Sequence, residues 1–474
     1  MPGTTRRAVL KALGVVGVGS GVAYGALRME DGGETAGGAN ETSTATAAPT
    51  RTTQAETPTA TPTPSTWRLE NLSQSQLSSS AGGFSEGVIR SDGRYAAIGT
   101  RFSGTGSYLV DLRDPNSPEL VHHFPADDGV TCLDVKFGPK KGLYCRSNHP
   151  AGDSGVQIVD YGFAEGTPES PRIIGELNSG GTHNLFVRSN ASVVYTVNYS
   201  DDPDTGGIDI WDVSKLRSPR QHGTAGPPGL AHDVVYDAKR DLLHCAYMGD
   251  MTDGYVLLDA SDPLNTAEVG RFDYADQPSY SDHDVGEEAF GNCHYALPDP
   301  RRDLVVVGDE RSYGTPGGKH VFDIGWRDGS PENPVPIGFT HSPNAKRMSS
   351  GGEGESDQTE RFDWTGHQFD IVPLPDATLV VSGDWHEGTV LYDVTDPTDL
   401  HPIDTHETNA PAVENPNEQL QVFGDPPMAY SADYNEEREI ALTSDLFTGI
   451  YTYRIDGASG TEETPETTNA TENA

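Results

Sequence analysis

The chain has 474 residues and a formal net charge of −40, from 72 Asp and Glu against 32 Lys and Arg. Such a surface repels phosphate backbones and anionic bilayers, which excludes nucleic-acid binding and electrostatic membrane attachment as functions. With 54 Gly and 34 Pro among many short β-branched runs, the expectation is an all-β body of strands and turns rather than long helices.

In chain order, residues 1–30 read first as an export signal. Thr4 to Lys11, T-T-R-R-A-V-L-K, precedes a weakly apolar, Gly-rich run from Ala12 to Leu27, and the pair resembles a twin-arginine signal. The run is short for a membrane span and no Cys lies before Cys132, so an uncleaved signal is the one membrane attachment expected. Residues 31–65 are almost wholly Thr, Pro, Gly, Ala and Glu without apolar periodicity, the composition of a disordered stalk; 457–474 form a similar acidic tail. Asn40, Asn71, Asn190, Asn198 and Asn469 each open a glycosylation sequon. The reading is an extracytoplasmic protein, secreted or attached to the cell surface. Its acidic, Lys-poor composition resembles that of proteins from salt-loving archaea, whose salt screens self-repulsion. Cys132, Cys145, Cys245 and Cys293 show no metal-binding spacing and are expected as buried thiols.

From residue 66 to 456 one motif recurs seven times: SYLVDLRDP at 107, GVQIVDY at 155, GIDIWDVSKLRSP at 207, GYVLLDASDP at 254, KHVFDIGW at 319, GTVLYDVTDP at 388 and GIYTYRID at 449. The closing aspartates, Asp111, Asp160, Asp212, Asp259, Asp323, Asp393 and Asp456, lie 49, 52, 47, 64, 70 and 63 residues apart. Around each copy stand an alternating strand, a tight turn, a second strand, and often a fourth. Period and pattern predict a seven-bladed β-propeller of four-stranded antiparallel blades. The seventh copy stops after its third strand, whereas TWRLENL at 66 is a spare strand, predicted to complete that blade and close the ring. The repeats GVQIVDY, GIDIWDVSKLRSP and GTVLYDVTDP, with GGTHNLFV at 180, resemble the LVIVD-repeat family of exported propellers. That resemblance implies the fold and no particular chemistry.

Aligned on the first turn, His183, His232, His294 and His367 share one position at the start of the innermost strand in four consecutive blades, with Ser85, Leu133 and Tyr430 in the others. The second strand returns antiparallel, which brings Asn198, Asp309, Asp384 and Asp445 back to the same face, beside Glu310, His386 and Glu387. The four histidines are the candidate ligands for copper, zinc, iron or manganese, with carboxylates expected on their second ring nitrogens. Asn198, Asp309, Glu310, Asp384, His386 and Asp445 are the candidate ligand-binding groups. Inserts at 274, 341 and 407 join outer strands to the next inner strands and should wall this face. In D-W-H-E, residues 384–387, Asp384 is expected to face His367, His294 and Asp309.

Three functions fit these residues. The first is a surface propeller that binds a small molecule, glycan or protein at its funnel. The second is a metal-dependent oxidoreductase or hydrolase using the funnel histidines, and the third is a structural envelope protein. Imidazole clusters supply metal chemistry, whereas a purely structural propeller needs histidines only as donors to a neighbouring blade's backbone.

Overall fold

The computed structural model describes residues 67–79, 82–101, 104–149, 155–200, 205–249, 251–274, 290–311, 316–345, 365–414 and 425–457. The signal, the stalk, most of the tail and the middles of the three inserts lie outside these residues. Among the described residues no helix is long and apolar enough to cross a membrane.

Alternating sequence becomes an antiparallel blade of four strands seven times over, as the repeat predicts, and in blade four a short extra strand, Tyr199–Ser200, pairs with the inner strand at Gly229 and Leu230. Blade one contains Phe84–Ile89, Tyr95–Thr100, Ser107–Asp111 and Glu119–Phe124, from the inside outward. The innermost strands of blades two to six are Val135–Phe137, Leu185–Arg188, Gly229–Asp237, Cys293–Pro298 and Gly366–Pro373. In blade seven Ala429–Asn435, Ile440–Asp445 and Gly449–Gly457 are followed outward by Trp67–Ser75. That strand runs antiparallel along the third, from Trp67 opposite Gly457 to Ser75 opposite Ile450. The ring is thus closed by the N-terminal strand, which covers an otherwise open sheet edge.

Hydrophobic clusters fill every gap between successive blades. In the closing gap, Ile440, Leu442 and Ile450 of blade seven meet Phe84, Ile98 and Val110 of blade one. Burial of apolar area at about 25 cal/mol per Å² is the main favourable term for such a ring. The recurring aspartate caps strand three: Asp111, Asp160, Asp212, Asp259, Asp323 and Asp393 each accept the amide of the residue two positions on, at 2.8–3.0 Å. Asp fits this position because its short carboxylate reaches its own turn. All four cysteines are buried and unbridged.

The inner strands carry a second regularity that positions the site. Their pairing with the second strands skips a register at His232, His294 and Tyr430, and over the pairs His367–Gln368 and Ser85–Glu86. A β-bulge frees a residue from the ladder and re-aims it. The adjoining second strands admit the inner chain of the next blade closely through glycine. A Cβ on Gly99 would lie 2.4 Å from the Cys132 carbonyl oxygen, and one on Gly383 would lie 2.8 Å from the Ser431 amide nitrogen.

Candidate metal centre in the axial channel

The first inward position of each blade contributes to a tier around the axis, and in blades one and four to seven that position lies in a bulge. The tier holds Ser85, Leu133, His183, His232, His294, His367 and Tyr430, all buried. The histidines form an unbroken arc. Ring centroids are 4.5 Å apart from His183 to His232, 4.1 Å from His232 to His294, and 4.3 Å from His294 to His367. His149, from the end of a second strand, extends the arc at 5.3 Å from His183; at the other end His367 meets the Tyr430 ring at 4.2 Å. The shared repeat position therefore does bring the four predicted histidines together.

Their second nitrogens are held differently from the expectation. His232 Nδ1 sits 3.1 Å from the main-chain oxygen of His294, and His367 Nδ1 sits 2.5 Å from that of Tyr430. The partner is the next blade's backbone at its bulge, where a ladder carbonyl has been released, and no carboxylate is needed. A donor at Nδ1 leaves Nε2 as the lone-pair nitrogen of each ring. His294 differs, because its buried Nδ1 has no hydrogen-bond partner.

Glu310 completes a group. Its Oε2 lies 3.6 Å from His294 Nε2, and one ligating atom each from His232, His294 and Glu310 fall within 4.8 Å of one another. A transition ion bonded at about 2.1 Å to each donor requires only a modest contraction by side-chain rotation. Burial pushes His232 and His149 down to about 4. Burial and the neighbouring imidazoles hold His183 and His294 well below the usual histidine range. Neutral imidazoles at physiological pH offer lone pairs without competition from protons. Burial pushes Glu310 up to about 7, with Arg101 pulling it back. An arriving cation would therefore meet a carboxyl that ionises near neutrality.

The other predicted residues are placed elsewhere. Asp309, Asp384 and Asp445 anchor the feet of the three inserts. Asp309 accepts from Tyr274 at 2.8 Å and contacts His320 at 3.0 Å; Asp384 accepts from Ser342 at 3.1 Å; Asp445 accepts from Thr408 at 2.6 Å. Each carboxylate thus grips the start of the insert leading into its own blade. Asp384 also pairs with the buried Lys319 at 2.9 Å and accepts from Ser382 and Tyr392. It does not face His367. What His367 receives from D-W-H-E is the Trp385 indole, stacked at 5.1 Å and 14°. His386 adopts a left-handed φ of 64° in that tight loop, and Glu387 accepts from the Asn344 main chain and side chain. Asn198 donates to Asp209 at 3.0 Å.

Directly below the histidines lies a tier that the repeat alignment does not single out. It holds Glu86, Asp134, Asn184, Asp233, Gln368 and Ser431, each following a first-tier residue and each buried. Asn184 ties the tiers together, donating to the His232 carbonyl at 2.9 Å and to Asp233 at 3.0 Å. Two successive polar residues in an alternating strand signal a bulge, and that signal is present in S-E, H-D and H-Q, at the bulges of blades one, four and six.

The fold and this channel define a seven-bladed β-propeller with a histidine-rich axial site. No protein-family model and no curated protein matches the chain. The resemblance to LVIVD repeats therefore rests on the quoted motifs, and the seven-bladed fold it implied is the part the structure shows.

Proposed function

We propose that the chain is a transition-metal protein whose ion is held by His232, His294 and Glu310, and that it uses the ion enzymatically, as an oxidoreductase or hydrolase. The observation that carries this reading is the convergence of three ligating groups within 4.8 Å at a buried imidazole whose Nδ1 lacks a partner. A set of two His and one carboxylate suits iron, zinc, copper or manganese. When bound, such an ion supplies Lewis-acid or one-electron chemistry. The chain's own contribution is a wall of packed rings: His367 is held between Trp385 and Tyr430, and His183 packs against His232 on the other side. Titration of the metal-free protein with cobalt(II) tests the proposal. Visible ligand-field bands that saturate, and that are lost in His294→Ala, support it; spectra unchanged from free cobalt(II) reject it.

The substrate of this proposal is a small molecule entering from the insert side, where Tyr274, Ser342 and Thr408 are held by Asp309, Asp384 and Asp445. Export by a twin-arginine route, surface attachment and adaptation to high salt complete the proposal on the strength of Arg6, Arg7 and the net charge of −40. Fractionation of cells expressing the chain with Arg6→Lys plus Arg7→Lys tests the export route, through retention of the protein inside the cell.

A further inference from the structure

The channel does not end at the acidic tier. Three residues beyond each first-tier position the inner strands turn another side chain inward, giving Lys136, Phe186, Val235, Leu297, Asp370 and Asp433 among others. Between these and the acidic tier lies a cavity of about 200 Å³, separate from the histidines and bordered by Glu86, Gln368 and Ser431. The geometry points to this cavity as a binding site for an organic ammonium ion, a small aliphatic amine in its charged form.

Four observations carry the assignment. The cavity presents acceptors in excess: Glu86, Asp370, Asp433 and the Gln368 carbonyl border it, against one cation, Lys136. That cation is already engaged, by Glu86 Oε1 and by Asp134 at 2.5 Å. Two of the acceptors, Glu86 Oε2 and Gln368 Oε1, are buried without a hydrogen-bond partner, on side chains 7% and 4% exposed. Buried acceptors left unpaired are costly, so an occupant that donates is favoured. The remaining wall is apolar and aromatic, from Phe186, Tyr295, Leu297 and Phe369, which suits an alkyl chain and a cation over a ring face.

A bare metal ion fits less well. Among the described residues, no three His, Cys, Asp or Glu donors of this cavity come within 4.8 Å of one another, as those of the upper site do. Acceptors spread around an apolar wall match a larger cation with several N–H donors. Burial and the adjacent Asp370 raise the Asp433 carboxyl, and burial pushes Asp370 up to about 6. An ammonium in the cavity would favour the charged forms of both. This site stands or falls independently of the metal reading above.

Isothermal titration of the full-length, metal-free protein with n-butylammonium chloride at fixed ionic strength tests it. The expected result is one saturable event, weakened about tenfold or more in Glu86→Gln and in Asp433→Asn, and retained in His294→Ala. Using both carboxylate variants guards against one failing to fold, which thermal unfolding reports. Absence of saturable heat overturns the assignment. So does an affinity unchanged in both variants, which marks diffuse attraction to the acidic surface, or displacement of the amine by calcium at lower concentration, which marks a metal site.

Discussion

His232 Nδ1 lies 3.1 Å from the carbonyl oxygen of His294, so the bulge of blade five orients the imidazole of blade four, as the bulge of blade seven orients His367. This couples ring orientation to backbone geometry, and it makes the ligand set a product of blade packing. Replacing His232 by Ala removes a ligand while leaving the inner strand's ladder largely intact. The expected outcome is a loss of metal affinity beyond the 10- to 100-fold, roughly, that removal of a supporting partner costs, with a far-UV spectrum unchanged. Equilibrium dialysis against zinc or manganese measures it.

The pair Lys319 and Asp384 is buried on both sides, at 3% and 0% side-chain exposure. Burial pulls the Lys319 ammonium down and Asp384 pulls it back up. Lys319→Met leaves an uncompensated carboxylate among Ser342, Ser382 and Tyr392, and should cost about 3–5 kcal/mol in denaturant unfolding. The double variant Lys319→Met with Asp384→Asn should be less destabilised than the sum of its two single variants. Strict additivity would contradict the pairing.

Closure by Trp67–Ser75 predicts that deleting these residues lowers the melting temperature by several degrees or more. The deletion strips the third strand of blade seven of its partner and uncovers Tyr451, Tyr453 and Ile455, against which Trp67 and Leu69 pack. Differential scanning calorimetry reads the shift, and an unchanged transition contradicts the closure's energetic role.

Asp370 and Asp433 give a pH dependence with a defined sign. Both carboxyls are raised in the folded chain, Asp370 to about 6, with burial the largest cause in each. Between the unfolded carboxylate value of about 4 and those raised values, the folded state binds more protons than the unfolded one. Their contribution to stability therefore falls as pH rises through that window and is flat well above it. Asp433→Asn removes the buried charge and its repulsion of Asp370. The variant's stability relative to the parent should rise between pH 5 and pH 8, by about 1–3 kcal/mol. Denaturant unfolding at the two pH values measures it, and a difference independent of pH would contradict the burial of a reluctant charge.

The fold was legible because two periodicities coincide in the chain: alternation within strands, and an aspartate that ends the third strand of six blades and caps its own turn, as Asp212 does with Ser214. The candidate site was legible in part. His183, His232, His294 and His367 share a repeat position, and repeat symmetry projects that position onto the axis. Glu310 was named with its neighbours, but nothing in the sequence separated it from Asp309, which faces Tyr274 and His320 instead. The difference is one residue of pleat, which sends adjacent side chains to opposite faces. Asp384 and Asp445 were misleading for another reason: a repeated carboxylate at a strand end serves equally to line a funnel or to anchor an insert. Ser342 and Thr408, the residues they anchor, carry no motif.

The metal content of the full-length protein, purified without an affinity tag, bears most directly on the axial site when measured alongside a His232→Ala plus His294→Ala variant. Close to one transition-metal ion per chain is expected in the parent, with most of it lost in a variant that remains folded. Parent protein free of metal after exposure to copper, zinc, iron and manganese, or a double variant that retains the full complement, would contradict the assignment of these histidines as ligands.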